Sequence, residues 1–235
     1  SGDVGYDELI HGSPTGLSKD FTRFLDCLGW PIQVETHSGY LGQLGKDICE
    51  TTPYYADRNT EVIFHVPYLM RPPGPDVPLI RDHQLITHFR SVISTDQVAV
   101  VWMEERERMS NLLPLIDQGV IVYILIHPLG GDSAGGLFWI RIMIPNTHTN
   151  AGMARLTANP LMIGPLADGM LVSRHALGNL VRNTAISADK ACRQVMDSYT
   201  EPSATRARYI QDVLQTHLPD EPETVSEFYR TMFTT

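Results

Sequence analysis

Ser94, Thr95 and Asp96 are three small polar residues standing directly before QVAVVW, an apolar, β-branched run of strand type. Such a triplet is either a turn, with Asp96 capping local amides, or the place where a fold presents a working side chain. His88 and Arg90 lie just upstream in the same segment, THFRSVISTDQVAVVW. Other groups able to do chemistry fit less well. GGDSAGG (130–136) has the glycine density of a phosphate loop, but it lacks the Lys-Ser/Thr ending, and a hairpin is expected where a helix should follow. His37 and His148 sit beside threonines with no partner at metal-ligand spacing. His65 falls inside the strand-like EVIFHV, where a core or strand-edge histidine with a backbone partner is the plain reading. No G-x-S-x-G or Cys–His signature marks a nucleophile. Residue types alone therefore describe an α/β domain with no visible active site, no cofactor and no metal.

The elements that must position residues 94–96 follow from spacing. Ser18 is a good N-cap, and Phe21, Phe24, Leu25 and Leu28 recur at helical intervals before Gly29. PIQVETH reads as a strand, followed by a loop punctuated by Gly39, Gly42 and Gly45, with Tyr54 and Tyr55 beyond it. EVIFHV (61–66) reads as a strong strand and the proline-rich 70–78 as loop. Residues 79–92 are read as a short helix or ordered loop. VAVVW (98–102) is the next strand, and EERER (104–108) a solvated face. GVIVYILIH (119–127) is apolar without alternation, as a central strand buried on both faces must be, and LFWIRIMIP (137–145) pairs with it as a hairpin. Two helices close the chain. The first has Ser187 as cap and Ala188, Ala191, Cys192, Val195, Met196 and Tyr199 on one face. The second, beyond a break at Pro202, carries Ala204, Ala207, Ile210, Val213, Leu214 and Leu218. The fold expected is α/β: a single domain with a twisted mixed β-sheet covered by helices and two long C-terminal helices. Residues 1–17 are read as a flexible N-terminal segment and 18–235 as the domain.

Bulk properties narrow the partners. The chain has 235 residues, 43% of them hydrophobic, and a net charge of −9, enough to build a core. Without a basic cluster it is not expected to bind nucleic acid or an anionic membrane. No apolar run reaches bilayer-spanning length. Cys27, Cys49 and Cys192 are few and lack C-x-x-C spacing, which suits a reducing compartment. A cytoplasmic location is expected, with the chain one piece of a larger protein.

Several stretches together resemble one family. FTRFLDCLGWPI, the glycine-punctuated loop, TTPYYADRNTEVIFHV, the proline-rich loop and VAVVW are similar to the Rap/Ran-type GTPase-activating (GAP) domain. IGPLADGMLVSRHALGNLVRNTAISADKAC and TRARYIQDVLQTH resemble its Ral-type and tuberin members, and the likeness runs from about residue 18 to 233. The resemblance implies acceleration of GTP hydrolysis on Ras-like GTPases by an inserted asparagine, the Asn thumb, whose carboxamide orients the attacking water. The family's pattern there is Arg-His-(Ile/Leu)-Gly-Asn-Asp, immediately before a strand. Counted back from QVAVVW, Asp96 takes the Asp, Thr95 the Asn and Ser94 the Gly; one residue of slippage puts Ser94 at the Asn. Neither supplies an amide, and His88 and Arg90 are out of register with the basic pair. A threonine hydroxyl lies roughly 1 Å nearer its backbone than a carboxamide oxygen, and a misplacement of that size costs about 10²-fold in rate.

What the resemblance implies is therefore a vestigial GTPase-facing loop made of His88, Arg90, Ser94, Thr95 and Asp96, with no catalytic residue. The first reading is the GAP-like domain of a non-catalytic (beta) subunit in a heteromeric Ral GTPase-activating complex. Its partners would be a catalytic GAP subunit and, at one remove, a Ral-like GTPase. Two alternatives stand beside it: an active GAP using a displaced asparagine, with Asn111 or Asn146 nearest in sequence, and a GTPase-binding module without catalysis. Phe228, Tyr229, Met232 and Phe233 are candidates either for a dimer surface or for docking the last segment.

Overall fold

Ser18 opens the first element as its spacing predicts. Its Oγ accepts a hydrogen bond from the Phe21 amide at 3.1 Å and caps helix α1 (Lys19–Leu28), whose buried face is Phe24 and Leu28. The computed structural model describes residues 18–70, 91–104, 120–130, 136–145, 156, 162–196, 200, 202–217 and 230. Behind α1 the backbone extends through Gly29, which passes so close to the Tyr54 carbonyl that a Cβ there would collide with it. The chain then enters β1 (Trp30–Gln33).

The mixed α/β architecture is the one expected, but the strands divide between two sheets. β1, β2 (Thr51–Ala56) and β3 (Glu61–Ile63) form an antiparallel sheet with β2 in the centre. Spacing did not reveal β2, because Pro53 interrupts it. The register places Pro31 opposite Pro53, so neither proline is asked for the amide it lacks across that pair. PIQVETH and EVIFHV are shorter strands than expected. The Thr36 and His37 amides turn back onto the Gln33 carbonyl, and β3 ends at Ile63.

The second sheet runs β4–β5–β6–β7: β4 (Val98–Trp102), β5 (Val122–Pro128), β6 (Leu137–Met143) and β7 (Leu171–Ser173). β4 and β5 are parallel, while β5–β6 and β6–β7 are antiparallel, so the predicted hairpin is present. On one face Trp102 stacks on Phe24 of α1 at 5.3 Å and meets Phe138 at 5.6 Å. On the other, Met103, Val120, Tyr123 and Leu125 form a second cluster. β5 is therefore buried on both sides, as its unbroken apolar run requires.

Helix α2 (Arg174–Gln194) begins at Ser173, well before the cap expected at Ser187. Its buried face runs Leu177, Gly178, Val181, Thr184, Ala188, Ala191 and Cys192. Gly178 and Thr184 interrupt the first half of that face around Leu177 and Val181 and weaken its apolar periodicity. Gly178 is needed because Cys27 of α1 occupies the space a Cβ would fill.

The chain divides into two compact units, residues 1–195 and 196–235. The second contains α3 (Pro202–His217), in which Pro202 is the opening residue, a position where its missing amide costs nothing. The described side chains of α3 are exposed, including Tyr209, Ile210, Val213 and Leu214. Leu218, Phe228, Tyr229, Met232 and Phe233 lie outside the described residues.

Candidate functional site

Residues 91–93 form a helical turn that leads into β4. Val92 is 2% exposed and sits in a small core with Val34, Leu44, Ile48, Cys49 and Met70, against which Ile93 and Leu41 also pack. That apolar floor fixes the start of the 94–96 loop. Its end is fixed by the Gln97 carbonyl, which accepts from the Ile121 and Val122 amides at 2.8 and 3.0 Å.

Between these anchors each polar side chain is engaged. Ser94 Oγ donates to the Ser91 carbonyl and Thr95 Oγ1 to the Val92 carbonyl, both at 2.9 Å. These are bonds back onto the chain's own turn. The Asp96 amide donates to Ile93 O at 2.9 Å. The Asp96 carboxylate does not cap a local amide. It reaches His65 Nδ1 at 2.8 Å, 31 residues away in sequence. The other ring nitrogen, Nε2, contacts the Gly42 carbonyl at 2.8 Å. His65 thus has the backbone partner expected of it and a carboxylate partner that was not foreseen. The signal was present only as a histidine inside the apolar run EVIFHV, which had to find partners somewhere.

A second polar node borders the glycine loop. Glu61 accepts from the Tyr40 amide at 2.7 Å. That amide, then the Tyr54 hydroxyl, and the nearby His37 hold its carboxyl below the ordinary 4.5, against a small opposing effect of burial. Tyr54 is pushed the other way by loss of solvent and by Glu61. Burial raises the Cys49 thiol to about 11, against the Thr51 backbone bond, and Cys192 to about 12, which disfavours the thiolate form at both.

Arg182 of α2 makes a third junction. Its guanidinium donates to the Cys27 and Leu28 carbonyls at 3.1 and 3.0 Å and lies 4.1 Å over the Tyr55 ring. It closes the C-terminus of α1, where unpaired carbonyls favour a cation. Further along, the loop at 166–169 is tied down by Thr184 Oγ1, which accepts from the Leu166 amide at 3.0 Å. Asp168 adds to this by accepting from Arg141 Nε at 2.8 Å.

The structure therefore brings Ser94, Thr95 and Asp96 together on one anchored turn. His88 and Arg90 lie outside the described residues, as do Asn111, Asn146, His148 and most of GGDSAGG. Among the described residues no group of three or more His, Cys, Asp or Glu could hold a metal ion, and no helix is long and apolar enough to cross a membrane.

The Rap/ran-GAP family model matches residues 11–212. Human Ral GTPase-activating protein subunit alpha-1 is 32% identical over 222 residues, covering 93% of this chain and 10% of the relative. Rat Ral GTPase-activating protein subunit beta is 25% identical in an alignment of 319 residues, covering 94% of this chain and 20% of the relative. The chain thus spans about a tenth of the length of the alpha-1 relatives it matches. Among solved structures, the TSC2 GAP domain superposes with a TM-score of 0.58 at 22% identity, over 79% of this chain and 88% of that one. That likeness is one of fold.

Proposed function

The chain belongs to the Rap/ran-GAP family, and on that premise we propose that it is the GAP-like domain of a non-catalytic, cytoplasmic subunit. This subunit would belong to a heteromeric complex activating a Ral-like small GTPase, with a catalytic GAP subunit as its direct partner. The observation that carries this reading is the state of Thr95. It stands at the position matching the family's asparagine, and its hydroxyl proton is spent on the Val92 carbonyl. What remains is a short side chain with lone pairs only. A carboxamide offers a donor and an acceptor on separate atoms and holds a water by two defined bonds; one alcohol already bonded to its own turn does not. Asp96 offers no substitute, since its carboxylate is committed to His65. GTP hydrolysis depends on positioning the nucleophile and stabilising charge, so a short, engaged group at that point leaves the reaction near its unassisted rate.

Single-turnover hydrolysis by a GTP-loaded Ral-like GTPase tests this. The purified domain should leave the rate unchanged, and Thr95→Asn should raise it by about 10²-fold. Strong acceleration by the parent domain would overturn the proposal in favour of an active GAP. That second reading draws on the alpha-1 relative, which at 32% is more similar than the beta relative at 25%. A pull-down against GTP- and GDP-loaded GTPase separates a subunit that meets only its GAP partner from a domain that grips the GTPase itself.

A further inference from the structure

We propose that His65 is a positioning residue that joins two loops, 39–45 and 94–96, into one partner-facing surface; this rests on the reading that the second loop faces a GTPase. The two loops are remote in sequence, and this ring reaches a polar group on each. Nδ1 lies 2.8 Å from Asp96 Oδ2 and Nε2 lies 2.8 Å from the Gly42 carbonyl, with the His65 side chain 7% exposed. Nδ1 faces the carboxylate and Nε2 the carbonyl, so each ring nitrogen has a polar partner, one on each loop. The backbone is shaped to permit this. Gly42 has φ +55°, and a Cβ there would strike Ile63 and come within 3.0 Å of His65 Nε2. Only glycine lets the carbonyl approach the ring without strain.

Beneath the ring the loops share one floor. Leu41 and Leu44 from the first loop and Val92 and Ile93 beside the second pack in the same small core. On the first loop Tyr40 is 55% exposed, and on the second Ser94 and Thr95 are exposed, so both joined loops present side chains to solvent. His65 is therefore the polar tie over a common apolar base.

Amide hydrogen exchange reads the joint without any assumption about the partner. The Asp96 amide bonds to Ile93 O and the Leu44 amide to Leu41 O, and the Ile140 amide, bonded to Met170 O, serves as a remote reference. Asp96→Ala should speed exchange at both Asp96 and Leu44 by about tenfold while Ile140 keeps its rate. Asp96→Asn, whose carboxamide oxygen still accepts from the ring, should restore both. If position 96 quickens and Leu44 does not, the loops are not joined and the proposal falls. His65→Gln is the second variant if Asp96→Ala does not fold, with the same two outcomes. The partner-facing half is read in the Thr95→Asn background. There Tyr40→Ala should raise the domain concentration giving half-maximal GTP hydrolysis several-fold and leave the saturated rate alone. Asp96→Ala should lower the saturated rate, and Asp96→Asn should recover it. A Tyr40→Ala variant with unchanged kinetics removes loop 39–45 from the surface. A silent Thr95→Asn protein overturns the partner-facing half, acceleration by the parent domain overturns the functional reading, and the exchange result stands or falls by itself.

Discussion

β5 and the 94–96 loop are neighbours, tied where the Ile121 and Val122 amides meet the Gln97 carbonyl, yet different forces hold them. Val122, Ile124 and Ile126 are buried to 0% exposure on one face of β5, and Tyr123 and Leu125 on the other are closed in by Met103 and Val120. The loop rests on two apolar anchors, Val92 and Ile93, and is otherwise held by hydrogen bonds from Ser94, Thr95 and Asp96. Burial in β5 couples each side chain to many others, so the fold depends on it. Thr95 is exposed and bonded only to its own turn, so its identity is uncoupled from the fold. The architecture can therefore be kept while the residue at position 95 changes.

The widest gap between the two regions should appear in stability. Ile124→Ala opens a cavity against β4 and β6 and should cost about 2–5 kcal/mol by denaturant unfolding. Thr95→Asn loses at most one exposed-side hydrogen bond and should cost less than about 1.5 kcal/mol. Equal losses would show that the loop is part of the cooperative core and end the comparison.

The next effect asks whether polar ties matter as much for the fold as for the site. Arg182→Met keeps the aliphatic stem but removes the bonds to the Cys27 and Leu28 carbonyls and the cation over Tyr55. A loss of about 1.5–3 kcal/mol is expected, read from the same unfolding curves. A neutral result would leave the α1–α2 contact to Gly178 and its apolar neighbours. Ser18→Ala, which deletes one cap bond at the other end of α1, should cost about 1 kcal/mol. If it exceeds the Arg182 variant, α1 is held from its N-terminus.

The same contrast explains what the sequence disclosed. β5 and α1 were legible because burial imposes a period, or abolishes one, over many residues. β2 was hidden by Pro53, whose missing amide faces Phe64, where the Thr52 hydroxyl donates to the Phe64 carbonyl instead, a fact of register. The start of α2 was hidden because Gly178 and Thr184 serve close approach and a hydrogen bond to Leu166, and neither adds apolar rhythm. At the site, position 95 could be counted from the strand that follows it. The His65–Asp96 and His65–Gly42 contacts join positions that no local spacing connects.

The smallest effect tests whether loop 39–45 is held by polar groups from both sides. His65 takes the Gly42 carbonyl, and Glu61 takes the Tyr40 amide from across the loop. That amide and the Tyr54 hydroxyl hold the Glu61 carboxyl below 4.5, so the folded protein binds this proton more weakly than the unfolded chain. The resulting stabilisation is present above the unfolded value and is lost as pH falls through the folded one. Glu61 is exposed, so the contribution is modest and screened by salt. Denaturation midpoints of the parent and Glu61→Gln should differ near neutral pH and converge below pH 4.5. A gap that persists in acid would mean that Glu61 acts by packing and not by its charge. The Tyr40 side of the loop would then resemble β5 more than it resembles the loop at Thr95.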